Sequence, residues 1–228
     1  MENHLFDLSF DEWIRYVFDH PVTDPQWYWI DHHDFWDSTL NPGITVSYLT
    51  GLFENPVAPL TAYSDAQIEQ GLYYLVSNSL SNHMFALRDE RVPLADRLKG
   101  LASMYIVFEQ LFVPRCSANL GYLNEVDKGT AKPLDGICYM WWDIIPINGA
   151  AAGPDTEATA DTILAVLTRI LSLNSDACRE GALHGLGHWS YYDPKRIEAI
   201  VDQFLATQQD IRPELLTYAR RARRGHVM

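Results

Sequence analysis

Apolar residues recur at helical spacing along most of the chain. Residues 10–18 set Trp13, Ile14, Val17 and Phe18 three and four apart, with Ser9 or Asp11 as N-cap and Pro21 as a stop. Asp24-Pro25 predicts a second start, with proline at the first helical position and Trp27, Tyr28, Ile30, Phe35 and Trp36 as the apolar set. Asn41-Pro42-Gly43 reads as a turn. Residues 44–54 are ambiguous: Ile44, Val46 and Tyr48 alternate as in a strand, whereas Leu49, Leu52 and Phe53 step as in a helix. Ser64 caps a clearer helix carrying Ile68, Leu72, Leu75, Val76 and Leu80, and residues 94–113 put Leu94, Leu98, Leu101, Tyr105, Phe108 and Phe112 on one face. Residues 114–136 hold Pro114, Gly121, Gly129, Pro133 and Gly136 and predict a long loop with room for one short helix. Cys138 to Ile145 is apolar and aromatic without a decisive period.

Four regular patterns close the chain. Residues 156–173 carry Ile163, Leu164, Leu167, Ile170 and Leu171; residues 175–191 carry Cys178, Ala182, Leu183, Leu186 and Trp189. Asp193-Pro194 and Arg212-Pro213 each open a further helix. No convincing strand pattern follows residue 48, so the expected class is all-α, built of antiparallel helix pairs because the later connections are short. The small, Gly-rich stretch NGAAAGPD, 148–155, is the expected linker between an acidic, aromatic-rich region, 1–148, and a second helical region, 149–228, unless the two form one continuous domain.

The segment CREGALHGLGHW, 178–189, followed by a proline-started amphipathic helix, resembles the second half of a HEAT-like repeat over roughly residues 157–206. That resemblance implies a short, curved α-solenoid whose usual work is binding another macromolecule. It implies no catalytic residue.

Charge changes the picture most. The formal net charge is -13, yet residues 1–87 hold twelve acids against the single base Arg15, while residues 88–228 hold eighteen acids and sixteen bases. Between residues 16 and 87 there is no Lys or Arg at all. Such a field draws cationic partners and repels nucleic acid and anionic membrane. The start of the chain lacks a basic segment followed by an uninterrupted apolar run, and three scattered cysteines, Cys116, Cys138 and Cys178, suit reduced, buried thiols; a cytoplasmic location is expected.

Candidate chemistry is sparse. His184 and His188 lie four apart on one helix face, the spacing with which two imidazoles share a metal ion, but Gly185 stands where H-E-x-x-H proteases have their general base. Ala177, Gly181 and Gly185 form a row on that helix, and each glycine costs roughly 1 kcal/mol of helix propensity. Close approach of a neighbouring helix would offset it, with the histidines as hydrogen-bonded packing residues; this reading is favoured over metal binding. WIDHHDFWD, 29–37, sets Asp31, His32, His33, Asp34 and Asp37 among Trp29, Phe35 and Trp36. Its readings are an ordinary amphipathic helix, a divalent-metal cluster, or aromatic anchors flanked by steering acids. The basic tail, Arg220, Arg221, Arg223 and Arg224, complements a helix dipole or pairs internally. No nucleophile elbow, phosphate loop or dinucleotide motif is present.

The reading these features favour is a non-catalytic protein-binding protein, most sharply an acidic immunity or antitoxin-type inhibitor of a basic enzyme such as a nuclease or deaminase toxin. Asp31, Asp34, Trp36, Asp37 and Glu54 are its expected contacts, with no cofactor. The alternatives are a metal-dependent enzyme or metal-binding regulator using His184 and His188, and a structural helical subunit.

Overall fold

Several helices begin where the chain supplies a side-chain cap. In the computed structural model, which describes residues 8–30, 36–118, 131–147, 155–208 and 210–227, Ser9 caps α1 (Phe10–Phe18). Its hydroxyl accepts from the Glu12 amide, and the Glu12 carboxylate accepts from the Ser9 N–H at 2.8 Å. Ser64 and Gln67 repeat this reciprocal arrangement at the start of α4 (Asp65–Val76), satisfying amides that a helix leaves open. Asn41 caps α3 (Pro42–Glu54), with Pro42 in its first turn, and so decides the ambiguous segment 44–54 as helix. The second expected helix is shorter than its apolar pattern suggests. α2 spans Trp27–Ile30, Phe35 lies outside the described residues, and Trp36 is not helical.

Beyond these come a 3-10 segment (His83–Arg88), α5 (Leu94–Val107), a π-helical turn (Phe108–Phe112), α6 (Val113–Arg115), α7 (Leu134–Ile144), α8 (Thr156–Leu171), α9 (Asp176–Trp189), α10 (Pro194–Thr207) and α11 (Pro213–Ala222). The described residues form eleven α-helices and no strand, so the protein is all-α. No described helix is long and apolar enough to cross a membrane.

The chain folds as two compact units, residues 1–107 with 144–147, and residues 108–143 with 148–228. The Gly-rich stretch expected as a linker lies outside the described residues except for Asp155.

The first unit packs α3 on α5 and α1 on α4. Its core gathers Trp13, Trp27, Trp36 and Tyr74, all fully buried. The equally buried His83 ring lies 5.8–5.9 Å from the Trp13, Trp36 and Tyr74 rings. Full burial of aromatics this large supplies much of the hydrophobic stabilisation of a small domain.

In the second unit α9 is the central element. Between Ala177 and Trp189 only Arg179 and His188 retain appreciable exposure. α8, α10 and α11 pack around it, and α7 lies against its row of small residues. A helix buried on nearly every side is ordinarily rich in large apolar groups; here Ala and Gly let the neighbours come close instead. The three thiols are buried in this unit, where Cys138 Sγ donates to the Ala177 carbonyl at 3.8 Å and Cys178 Sγ to the Phe108 carbonyl at 3.9 Å. Burial pushes the Cys138 thiol well above its ordinary pKa.

Candidate functional site

The described acids of the first unit have unlike surroundings. Beside α3 and α5 they meet bases. Glu54 pairs with Lys99 at 3.0 Å, and Asp89 with Arg91 at 2.6 Å. Asp37 accepts from the Thr39 amide and hydroxyl at 2.9 and 2.6 Å and from Asn82 Nδ2 at 3.2 Å. The Thr39 bonds hold its carboxyl below the usual carboxylate range. Asp37 and Glu54, both expected partner contacts, therefore have local structural work.

Beside α1 and α4 the balance is different. Asp11, Glu12, Asp19 and Asp24 are exposed, Asp65 and Glu69 are half-buried, and Arg15 is the one base in residues 1–87. The connection from Asp19 to Ile30 is laid along α4. Gln67 Nε2 donates to the His20 carbonyl and Gln70 Nε2 to the Thr23 carbonyl, each at 3.1 Å, and the Trp27 ring sits 4.8 Å from Tyr74. This course leaves Val22, Trp29 and Ile30 51, 62 and 52 % exposed. Burial raises the Glu69 carboxyl to about 7. Burial, reinforced by the Glu69 charge, pushes the Tyr28 phenol to about 12.

Trp36 is a correction. It is 1 % exposed, its indole N–H donates to Thr45 Oγ1 at 3.0 Å, and its ring lies nearly parallel to His83. It is a core residue, and among the described residues of this region the exposed aromatic is Trp29. Asp31 and Asp34, the other expected contacts, lie outside the described residues, as do His32 and His33. In the basic tail Arg223 pairs within its own unit, meeting Asp202 at 2.7 Å and Glu198 at 3.3 Å.

A second polar cluster sits on α9. His188 Nε2 lies 3.2 Å from His184 Nε2 and 3.2 Å from Asp143 Oδ1. The three potential ligand atoms all fall within 4.8 Å of one another. His184 is buried; its Nδ1 sits 2.7 Å from the Tyr218 hydroxyl, which lies 3.1 Å from that of Tyr139. Burial, and then the neighbouring His188 charge, lower the His184 pKa to about 4, so its imidazole is neutral at pH 7. Burial raises the Tyr218 phenol, and its hydrogen bond with Tyr139 adds to the effect.

The row of small residues explains how this cluster assembles. A Cβ on Gly181 would overlap the Cys138 carbonyl, and one on Gly185 would stand 2.7 Å from Trp142 Cβ. The resulting close contact of α7 with α9 sets the Tyr139 ring against His184, centroids 4.1 Å apart and planes tilted by 35°, and brings Asp143 to His188. The expected close helix approach is thus present. Asp143 escaped the sequence reading because its segment is apolar on all sides and assigns no face.

No family model matches this chain, and neither a curated protein nor a solved structure matches it.

Proposed function

We propose that the chain is a binding protein for a basic protein partner, engaged through the α1–α4 face of the first unit. The observation that carries this reading is Trp29, 62 % exposed in a connection that also leaves Val22 and Ile30 more than half exposed, within residues 16–87, which offer no Lys or Arg. Large exposed aromatic area with flanking acids supplies both ingredients of a site for a cationic surface. The ring gives buried area and cation–π contact, and the exposed Asp19 and Asp24 steer the encounter. Its sharpest form is an immunity-type inhibitor that presents carboxylates where a nuclease or deaminase expects phosphate. The resemblance of residues 157–206 to a HEAT-like repeat, a class that binds macromolecules, points the same way.

The experiment is crosslinking of the full chain in its native host, identification of the joined peptides, and kinetics with the purified partner. The expected result is a basic protein joined to residues within 11–30 or 65–76. Its association rate should fall steeply as ionic strength rises, and Trp29→Ala should speed its dissociation. An association rate indifferent to salt, or a complex untouched by Trp29→Ala, would overturn the reading.

A further inference from the structure

We propose that Asp143, His184 and His188 form a binding site for one divalent transition-metal ion of the zinc class, held by both imidazole Nε2 atoms and a carboxylate oxygen. The site belongs to the second unit and is independent of the partner-binding face.

The geometry is that of a ligand set. Donors held at about 2.0–2.1 Å from a tetrahedral ion stand roughly 3.3 Å from one another. Here His188 Nε2 is 3.2 Å from each of the other two donor atoms, and all three lie within 4.8 Å of one another, so a small turn of the part-exposed Asp143 carboxylate toward His184 closes the set around an ion.

Hydrogen bonding alone does not account for the trio. A ring nitrogen carries either one hydrogen or one lone pair. If His188 Nε2 carries hydrogen, that single hydrogen must serve the Asp143 carboxylate and must also turn toward His184 Nε2. If it carries the lone pair, it can accept from His184 but faces the carboxylate with no hydrogen between them. One of the two contacts is frustrated either way, whereas a cation among the three satisfies all of them. The surroundings fit as well. Tyr218 stands 2.7 Å from His184 Nδ1 and can accept its hydrogen, which leaves the Nε2 lone pair for the ion. Orientation of a ligand histidine through its other nitrogen is the usual support of a metal site.

Two imidazoles with one carboxylate select zinc, cobalt(II) or iron(II) over magnesium and calcium, which prefer all-oxygen shells. The His188 and Asp143 side chains are 30 and 37 % exposed, so the remaining coordination position opens to solvent.

The test is titration of the untagged, chelator-stripped full chain with Co2+, followed by visible absorption and then by Zn2+ displacement. One Co2+ per chain is expected, with the intense visible bands of a four- or five-coordinate ion. Zn2+ should displace it one for one, and excess Mg2+ should leave the spectrum unchanged. His188→Ala and Asp143→Asn should each bind at least about tenfold more weakly. Asp143→Asn is a near-isosteric change at a part-exposed position, so it answers the question even if His188→Ala fails to fold. Less than stoichiometric Co2+ and Zn2+ on folded protein overturns the site. Stoichiometric binding that survives Asp143→Asn at full affinity, with ligands therefore elsewhere, also overturns it.

Discussion

A side chain at Gly181 would run into the carbonyl oxygen of Cys138. The obstacle is backbone and has no rotamer to yield, so Gly181→Ala must push α7 away from α9. Overpacking of this kind costs about 1–3 kcal/mol, more than the roughly 1 kcal/mol that alanine returns in helix propensity. Gly43 is the control: the nearest atom to its Cβ position is Asn41 Oδ1 at 3.9 Å, so Gly43→Ala should be neutral or slightly stabilising. Urea unfolding of both variants checks the pair. Equal midpoints would mean that α7 and α9 do not touch along this row.

His83 should make the fold sensitive to acid. The Trp13 indole can only donate, so His83 Nε2, 3.1 Å away, must accept, and the ring hydrogen sits on Nδ1, directed to Ser81 Oγ at 3.0 Å. Burial holds the ring neutral down to about 3. The unfolded chain takes up a proton below the ordinary histidine value of about 6.5, and the native state does not. Stability from this residue is therefore fully present above about pH 6.5 and declines as pH falls toward 3. His83→Phe should remove that part of the pH dependence. It should also lower stability at pH 7, because Trp13 and Ser81 each lose a partner at about 1–3 kcal/mol. Melting temperatures of both proteins between pH 4 and 8 test this; curves that stay parallel would refute it.

How much of this was readable before the structure depends on what each segment offers. After residue 155, α9 and α10 carry a side-chain cap, α10 and α11 an initiating proline, and α8 a long apolar period, and these helices appear where those signals lie. The row Ala177, Gly181, Gly185 and the pair His184 and His188 were legible because a fourteen-residue helix fixes which residues share a face. α2 has four residues, and one turn of helix has no sidedness to read. Nothing in its sequence says that Trp27 and Trp36 go inside while Trp29 stays out. That choice is made elsewhere in the chain: Gln67, Gln70 and Tyr74 on α4 hold the Trp27 segment, and Thr45 and His83 hold Trp36. Asp143 was hidden for the opposite reason, since in MWWDII every face is apolar.

Glu69 gives a pH effect of opposite sign to that of His83. Its carboxyl is raised by burial to about 7. Between the ordinary glutamate value of about 4.3 and pH 7 the native state holds a proton that the unfolded chain has released. Stability therefore falls as pH rises through this interval. Glu69→Gln, which mimics the protonated form, should be close to wild type at pH 5 and more stable at pH 8. A variant less stable than wild type at pH 8 would show that the carboxylate is held by a favourable contact there.

Trp29 and Trp36 should separate binding from folding. Trp36 is 1 % exposed and bonded to Thr45, so Trp36→Ala should cost about 3–5 kcal/mol, as large-to-small changes in a core do. Trp29 is 62 % exposed, and Trp29→Ala should leave stability within about 0.5 kcal/mol, the usual range for a surface substitution. Where the partner is in hand, the order reverses: Trp29→Ala removes an aromatic anchor from the interface and should shorten the lifetime of the complex. Asp24→Asn should instead slow association at low salt and lose its effect at high salt, because an exposed acid acts at a distance that salt screens. A Trp29→Ala variant that unfolds would place the ring in the core after all and remove the anchor from the binding face.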